Sequence, residues 1–461
     1  MKKQFTLGFA LLLCACSSLL FSQSFDDSLR IMTYNVLNFG DACQGQPSSQ
    51  YQNLRTIIGF ANPDVIGMVK MQSIKTSPTD IHGVSGYGFA DTLVAETFNK
   101  VYPNRYAHSG FTDAALSGNT TVLFYDQNKL GYLGLTTLVV STEDFNLFKL
   151  YVKDPYLSTT LDTTFVYFVL NHTISGNTSA GRDQQDTLVA NALRKKFYHL
   201  PNLINMGDYN LRLSGEIGYQ AYVNPKDTGF RFSDGPFFPD KKLTYPLDWD
   251  TNPTLCSAFL STSSRQSPSL PNSCGTSGGA KDWYDHILVS PWIVNNLNYL
   301  SYISHSYHTV GNDGKRIGIS VNDTVTNGKN TSAPASVLNA LWHFSNKYPV
   351  MCTVGLTYNR TGKSLPDPNF VAGIEGIKNV NLNIEVSSLV NSQYKISFGE
   401  DLMQKKITLI WTDLLGRQVA IEQIAIESNH MIRPMPIAQK GIYLLSGFIG
   451  SKRKNFKVVV D

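Results

Sequence analysis

Between Leu29 and about Leu356, short β-rich runs alternate with helical segments, and polar residues stand where several of the strands end. The strand-like segments that carry these polar residues are Leu29–Leu37, Phe165–His172, Leu203–Asn210 and Trp283–Ser290. Helical apolar spacing occurs between strands, in Asn53–Ala61 and Gln184–Tyr198. Strands interleaved with helices over this length predict a two-sheet α/β sandwich.

The length and composition are those of an ordered globular protein with more than one domain. A chain of 461 residues is long enough for one large and one small domain, each with its own core. Hydrophobic residues make up 42% and charged residues 16%. The net charge of +4 does not argue for a nucleic-acid ligand, because a solvated basic surface accounts for it.

The first residues predict a secretory signal over residues 1–22. Lys2 and Lys3 precede the apolar run Phe5–Cys16, which is too short for a permanent membrane-spanning helix, and cleavage is expected after Ser22. The run Leu13–Cys16 weakly resembles a lipoprotein cleavage box, so lipidation at Cys16 is an alternative. Because no later stretch predicts a transmembrane helix, we expect an exported protein that is soluble or attached to the cell surface.

Cleavage would leave Cys43, Cys256, Cys274 and Cys352. An even number of cysteines in an oxidising compartment suggests disulfides. Cys256 and Cys274 flank a Ser/Pro-rich loop, which favours their pairing and leaves Cys43–Cys352 as the second pair. Buried, unpaired thiols are the alternative. The cysteine spacing does not match a zinc site.

Beyond Thr357 the character of the chain changes. Residues 357–379 read as a linker, and residues 380–461 alternate as strands with almost no helical signal. This pattern predicts a small antiparallel β-sandwich.

The last segment resembles the C-terminal sorting domain of type IX secretion cargo in Bacteroidetes. The matching pieces are Thr412–Val419, Lys440–Leu445 and Lys457–Asp461. An ordinary β-sandwich accessory module is the alternative. The resemblance implies that the segment is an export address read by the type IX machinery and takes no part in chemistry.

Polar residues at the strand ends are the candidates for chemistry. Asn35 follows Thr33-Tyr34, His172 ends a buried strand, and Asp285 precedes another. Gly207-Asp208-Tyr209-Asn210 places Asp208 and Asn210 two residues apart, hence on one face of an extended segment. Each residue alone is a weak signal, because a lone Asn is usually a turn residue and a lone His is usually structural.

In this order the residues resemble the endonuclease/exonuclease/phosphatase superfamily, over about Leu29 to Leu356. The resemblance implies a DNase-I-like fold and a metal-dependent phosphoesterase with one or two Mg²⁺ ions. In the family a Glu that follows the second strand holds the metal, an Asp activates the attacking water, and a His pairs with the phosphate. The last strand of the family begins Ser-Asp-His-x-Pro-Val.

Three of these family positions are replaced. Lys70 stands where the Glu is expected, and Asn346 and Lys347 stand where Asp and His are expected. Together the replacements raise the charge of the centre by about four units at neutral pH. An ammonium about 4 Å from a divalent cation is opposed by roughly 8 kcal/mol at an effective dielectric near 20. We therefore expect Mg²⁺ binding to be lost or badly weakened, and no cofactor.

The neighbouring Asp285-His286 could be mistaken for the missing Asp-His pair. Ile287–Pro291 fits the penultimate strand of the family, in which the retained Asp orients the later His. Asp285 is therefore assigned to that orienting position, and His286 is expected to serve in packing or in loop hydrogen bonding.

Two functions follow from this pattern. The first is a secreted pseudoenzyme that binds an anionic ligand (a phosphate, polynucleotide or sulfated glycan) with Lys70 and Lys347 as cations and Asn35, His172 and Asn210 as hydrogen-bonding partners. The second is an active phosphodiesterase or nuclease with a rearranged centre, in which Asp208 activates water. Decay of an unneeded enzyme is a third reading, and it predicts no ligand.

Overall fold

The computed structural model describes residues 24–39, 47–72, 90–267, 276–345, 347–368, 383–389, 393–413, 418–449 and 452–460. The chain divides into two compact units, Met1–Pro368 and Asn369–Asp461. The division falls within the range predicted as the linker. Within the described residues, the helices are too short or too polar to cross a membrane.

Two mixed sheets form the first unit. Its strands are β1 (Asp27–Phe39), β2 (Val65–Gln72), β3 (Tyr106–His108), β4 (Asn119–Asp126), β5 (Leu130–Val140), β6 (Asp144–Val152), β7 (Phe165–His172), β8 (Leu203–Asp208), β9 (Ser233–Asp234), β10 (Asp285–Val289), β11 (Leu300–Tyr302), β12 (His308–Thr309) and β13 (Val350–Leu356). The first sheet has the order β11-β13-β1-β2-β4-β3, with β12 paired to β13, and the second has the order β5-β6-β7-β8-β10-β9.

Helices lie between these strands along the chain. They are α1 (Pro47–Ala61), α2 (Ala90–Leu93), α3 (Asn99–Val101), α4 (Leu157–Thr160), α5 (Ala180–Lys196), α6 (Ile217–Val223), α7 (Pro291–Val294) and α8 (Ala335–His343), with a π-helical turn at Val94–Phe98 and 3₁₀ turns at Thr228–Phe230 and Pro253–Cys256. The predicted helices Asn53–Ala61 and Gln184–Tyr198 correspond to α1 and α5.

The two sheets pack face to face through one continuous apolar core. They approach closely at Gly67 of β2, where a Cβ atom would collide with Leu170 of β7 and Met206 of β8. Glycine permits this close approach, because a side chain there would have to displace the ends of both Leu170 and Met206. The predicted two-sheet α/β sandwich is therefore confirmed.

The strand directions bring the predicted polar residues to one edge of the sandwich. β1 pairs with β2 and β7 pairs with β8 in parallel, so the carboxyl ends of each pair meet. β10 runs antiparallel to β8, which places its first residue, Asp285, opposite the last residue of β8, Asp208. The close packing at Gly67 then sets the ends of β1 and β2 against those of β7 and β8.

The second unit is all-β apart from one 3₁₀ turn, Glu400–Leu402, in the residues that the structure describes. Its strands are β14 (Ile384–Leu389), β15 (Gln393–Phe398), β16 (Lys406–Thr412), β17 (Gln418–Ala425), β18 (His430–Pro434), β19 (Gly441–Ile449) and β20 (Lys452–Val460). They form antiparallel sheets in the orders β14-β15-β18 and β17-β16-β19-β20 around a separate core. The predicted small antiparallel β-sandwich is confirmed.

The predicted disulfides are not seen. Cys43 and Cys274 lie outside the described residues, and Cys256 and Cys352 are buried with free thiols. Burial raises the pKa of the Cys256 thiol to about 12, so the thiol is protonated and unreactive at neutral pH. For these two cysteines the structure agrees with the alternative of buried, unpaired thiols.

Candidate functional site

Asp208, the last residue of β8, is the centre of the predicted site. Its carboxylate is 1% exposed and accepts hydrogen bonds on both oxygens. Oδ2 accepts from Nδ2 of Asn35 at 2.7 Å and from Nζ of Lys347 at 3.1 Å, and Oδ1 accepts from the backbone N–H of Asn210 at 3.0 Å. Asn35 and Lys347 are more than a hundred residues from Asp208 along the chain, so tertiary packing alone creates this cluster.

The partners of Asp208 keep it charged despite its burial. Burial by itself would raise its pKa, but the positive charge of Lys347, the neighbouring His172 and the hydrogen bond from Asn35 lower it to about 2. A carboxylate with so low a pKa is a weak base, because a general base works best when its pKa lies near the working pH.

Lys347 is held entirely within the protein. Its side chain is 4% exposed, forms the ion pair with Asp208, and places the ammonium 5.3 Å from the centre of the Tyr284 ring. Burial alone would lower the pKa of Lys347, but the charge of Asp208 raises it above the usual value for lysine. Lys347 is therefore a cation whose charge is already matched by an internal anion.

Lys70 lies beside the same pair on an irregular part of β2. The register of β2 against β4 shifts between Met68 and Met71, and Lys70 has a φ of 59°, a left-handed conformation that costs an L-residue about 1–2 kcal/mol. Backbone strain of this kind is most often retained at functional positions.

The ammonium of Lys70 makes no hydrogen bond or ion pair within the described residues. Burial and the neighbouring charge of Lys347 lower its pKa, while Asp208 and Glu143 oppose that effect. Lys70 is thus close enough to Lys347, Asp208 and Glu143 for their charges to shift its pKa, but among the described residues it bonds to none of them.

His172 pairs with Glu143 at the same edge. Its Nδ1 lies 2.7 Å from Oε1 of Glu143, and the other oxygen of Glu143 is buried without a hydrogen-bond partner in the structure. Glu143 was not predicted. The hairpin pattern of β5 and β6 could have revealed it, because Glu143 immediately precedes β6, the strand that pairs with β7.

Asn210 occupies a different position from the one predicted. The strand ends at Asp208, and Asn210 has a φ of 50°, so the two residues do not share a face of an extended segment. The side-chain amide of Asn210 donates to the carbonyl oxygen of Thr173 at 2.7 Å. Asn tolerates the left-handed region, and Asn210 therefore forms the turn that follows the strand.

The backbone at position 207 explains why the Gly-Asp-Tyr-Asn element begins with glycine. Its φ is 148°, and a Cβ atom would collide with the backbone of Asn171 on the neighbouring strand β7. The glycine lets β8 approach β7 closely and so carries Asp208 to its place beside His172.

Asp285 is fully buried next to Asp208 but makes no ion pair with any other described residue. Oδ2 accepts a hydrogen bond from the hydroxyl of Ser261 at 2.6 Å, and Oδ1 is buried without a partner. Burial and the adjacent charge of Asp208 raise the pKa of Asp285 well above its usual value. The negative charge of this carboxylate pair therefore resides preferentially on Asp208. Lys347, which stands where the resemblance expects a histidine, bonds to Asp208.

His286 points away from this cluster, as expected for a packing residue. Its Nδ1 lies 2.9 Å from Oδ2 of Asp234 and its Nε2 lies 3.0 Å from the carbonyl oxygen of Trp283. The imidazole is fully buried, 4.4 Å from the Trp283 ring by centroid distance. Asn346, the remaining predicted site residue, lies outside the described residues.

The cluster does not fit a divalent metal ion. Both oxygens of Asp208 already accept hydrogen bonds, an ammonium occupies the space beside Oδ2, and Lys70 adds a second positive charge. Divalent magnesium needs several unpaired oxygen ligands in regular geometry. Within the described residues, no group of three or more His, Cys, Asp or Glu side chains is placed to hold a metal.

The chain was compared with known proteins. No family model matches it. No curated protein matches it either. Among solved structures it is similar to TDP2 of D. rerio in complex with a single-strand DNA product (15% identity, 72% of this chain and 100% of that chain, TM-score 0.39).

Two further similar structures come from Bacteroides. One is the endonuclease/exonuclease/phosphatase of Bacteroides vulgatus (14% identity, 71% of this chain and 99% of that chain, TM-score 0.39). The other is the mannosyl-6-phosphatase Bt3783 of Bacteroides thetaiotaomicron (15% identity, 72% of this chain and 100% of that chain, TM-score 0.39). Similarity at this level says nothing about activity or ligand.

Proposed function

We propose that the first unit is a non-hydrolytic, anion-binding protein built on a phosphoesterase-like scaffold. The observation that supports it most directly is the buried ion pair between Lys347 and Asp208, with Nζ and Oδ2 3.1 Å apart. This pair neutralises the carboxylate that the resemblance assigns to water activation. It also places an ammonium where a metal-bound phosphate would need a cation of higher charge.

In this arrangement hydrolysis would have neither an effective general base nor a fitting metal site. Asp208 is a poor general base because its pKa is about 2 and both of its oxygens are engaged. The cluster has no fitting metal site, so the charge that develops on a phosphoryl group would have only fixed side chains to oppose it. Losing general acid–base help alone costs about 10²–10⁴-fold in rate.

Anion binding rests chiefly on Lys70. Of the two lysines, Lys347 is matched by Asp208, whereas Lys70 has no partner in the described part of the chain. An unpaired, half-buried ammonium is costly unless a ligand supplies the counter-charge. His172 can add a hydrogen bond, because Glu143 holds its Nδ1 and leaves Nε2 without a partner among the described residues.

The test combines an activity assay with a binding assay on the full chain. Phosphodiesterase activity is measured on DNA and a small diester with Mg²⁺ or Mn²⁺, for the native protein and for the triple reversion Lys70→Glu, Asn346→Asp, Lys347→His. Binding of inorganic phosphate, a single-stranded oligonucleotide and heparin is measured by calorimetry, with Lys70→Met as the loss variant and the exposed Lys226→Met as its control.

We expect the native protein to be silent in the activity assay and to bind at least one anion through Lys70. Metal-stimulated turnover by the native protein would favour the alternative, an active phosphodiesterase with a rearranged centre. If the native protein neither hydrolyses the substrates nor binds any of the three anions, the proposal is wrong, and decay of an unneeded enzyme becomes the better account.

We further propose that the protein is exported and then sorted by type IX secretion. The proposal rests on the apolar N-terminal run and on the sorting-domain motifs, and the all-β second unit is compatible with it. Deleting residues 380–461 should leave the protein in the periplasm, whereas the full chain should reach the surface or the medium. Equal distribution of both forms would contradict this assignment.

A further inference from the structure

The ionisable side chains at the proposed anion site carry no more than one net positive charge. Those whose charges act on one another are Lys70, Lys347, His172, Asp208, Glu143 and Asp285. The ammonium groups of the two lysines are balanced by the carboxylates of Asp208 and Glu143. His172 adds a positive charge only when it is protonated, and Asp285 adds none when neutral and a negative one when ionised. The net charge of the group therefore cannot exceed a single positive charge.

Only part of this group can meet a ligand. Lys70 and His172 are partly exposed, whereas the other side chains of the group are buried. Lys347 is neutralised by Asp208, whose Oδ2 lies 3.1 Å from Nζ of Lys347. The ammonium of Lys70 makes no hydrogen bond or ion pair within the described residues. A ligand therefore meets one cation whose charge is not already matched.

Glu143 places a negative charge next to these two exposed side chains. Its Oε1 lies 2.7 Å from Nδ1 of His172, and its charge acts on Lys70. Its Oε2 is buried and has no hydrogen-bond partner in the part of the chain that the structure describes. The carboxylate is thus a negative charge close to the place where the charge of a ligand on Lys70 would lie.

The charge of a ligand decides how well it suits this arrangement. The free-energy cost of taking an ion out of water grows with the square of its charge, whereas its attraction to one ammonium grows only in proportion to that charge. A singly charged anion is matched by Lys70 alone. A doubly charged anion would leave one charge unmatched near the carboxylates of Glu143 and Asp208, and unmatched charge in a partly buried site is costly.

We infer that the site selects a singly charged oxyanion ester over a doubly charged phosphate monoester, and that Glu143 is the residue that determines this selectivity. The inference rests on the proposed function, because it uses Lys70 as the binding cation. Sulfate monoesters and phosphodiesters share the required chemistry: one negative charge, spread over terminal oxygens that accept hydrogen bonds. Nζ of Lys70 and Nε2 of His172 are the donors that such oxygens would meet.

The experiment is calorimetric titration of the full chain at pH 8 with three esters that share a phenyl group. Phenyl sulfate and methyl phenyl phosphate are singly charged, whereas phenyl phosphate is doubly charged at this pH because the second pKa of a phosphate monoester is about 6. We expect at least one singly charged ester to bind at least tenfold more tightly than phenyl phosphate. Whichever of the two binds more tightly identifies the ester as a sulfate or a phosphodiester, and Lys70→Met should weaken its binding at least tenfold.

Glu143→Gln tests the source of the selectivity. The amide keeps the shape of the side chain and removes its charge, so phenyl phosphate should bind more tightly and the ratio of the two affinities should fall at least threefold. Retained binding of the singly charged ester shows that the variant is folded. Glu96→Gln, which removes a surface carboxylate 3.8 Å from Arg55, is the matched control and should leave the ratio unchanged.

The outcomes separate this inference from the proposed function. Binding of phenyl phosphate through Lys70 that is as tight as that of both singly charged esters would overturn the inference and leave the proposed function standing. Absence of binding by all three esters, together with phosphate, oligonucleotide and heparin, would reject the proposed function itself. An affinity ratio in Glu143→Gln equal to that of the native protein would overturn the role of Glu143.

Discussion

Nζ of Lys347 lies 3.1 Å from Oδ2 of Asp208, and this buried pair joins the segment before β13 to the end of β8. Two positions that the resemblance assigns to chemistry are thereby tied to each other. Because the pair is buried, its contribution to stability and to the pH dependence of stability can be measured without knowledge of the ligand.

Removing the ammonium of Lys347 should destabilise the first unit strongly. Lys347→Met leaves the charge of Asp208 buried without its main partner, and breaking a buried pair in this way costs about 3–5 kcal/mol. Urea unfolding followed by tryptophan fluorescence measures the loss. The double variant Lys347→Met, Asp208→Asn should regain most of it, and Lys226→Met should be neutral. A single-variant effect below about 0.5 kcal/mol, the size of an ordinary surface change, would contradict the prediction.

Stability should depend on acid through Asp208. Its pKa in the folded protein is about 2, below the value of about 3.9 for an unfolded chain, so its contribution is complete above about pH 4 and is lost as the pH falls towards 2. Unfolding free energies measured between pH 2 and pH 6 should fall over this window in the native protein. The slope should be smaller in Lys347→Met, Asp208→Asn.

Asp26 is a second carboxylate that contributes to that slope, because its hydrogen bond from Arg360 lowers its pKa to about 2. Asp26→Asn should therefore also reduce the slope, and its effect should add to that of the buried double variant. An unchanged slope in Lys347→Met, Asp208→Asn would show that the buried pair is not a source of the acid dependence.

Asp285→Asn should be tolerated at neutral pH. Burial and the charge of Asp208 raise the pKa of Asp285 well above its usual value, so the fold favours the neutral acid, which an amide resembles. Asn can accept the hydrogen bond from Ser261, and it removes the destabilisation that the acid contributes as the pH rises above about 4. We expect equal or higher stability at pH 7, measured by urea unfolding. A loss of more than about 3 kcal/mol, the size expected for breaking a buried charge pair, would mean that Asp285 is charged.

As the pH rises, anion binding should weaken at a lower pH than it would at a site built on an ordinary surface lysine. Burial and the charge of Lys347 lower the pKa of Lys70 from its usual 10.5, so its ammonium is lost at a lower pH than that of a surface lysine. Calorimetric titrations of phosphate at rising pH should show this loss. Lys70→Arg, which stays charged, should bind at high pH, and equal pH profiles for the two proteins would contradict the role of Lys70.

Magnesium should stabilise the reverted protein and not the native one. A ligand that binds only the folded state raises stability by about 2.7 kcal/mol at a hundred times its dissociation constant. Melting temperatures measured with and without millimolar Mg²⁺ should be equal for the native chain and should rise for Lys70→Glu, Asn346→Asp, Lys347→His. A clear rise in the native chain would show a metal site that the described residues do not reveal.

The sequence by itself determined the fold class and the positions of most strands along the chain. Alternation, β-branched runs and turn residues act locally, so segments such as Phe165–His172 could be predicted with correct ends. The polar strand-end residues could be selected because parallel strands bring their carboxyl ends together. Lys70 and Lys347 could be recognised as replacements because the residues around them keep the pattern on which the resemblance rests.

Only the tertiary structure decided how these residues interact. The sequence offered Lys70 and Lys347 as equivalent cations, but the packing of the two sheets pairs Lys347 with Asp208 and leaves Lys70 without a partner among the residues that the structure describes. Glu143 reaches the site because it immediately precedes β6, which pairs with β7. The side chain of Asn210 bonds to Thr173 because the chain turns after β8, and only its backbone N–H bonds to Asp208. The pKa values of Asp208 and Asp285 shift in opposite directions for the same reason: burial and neighbouring charge are properties of the assembled fold, and the sequence order does not contain them.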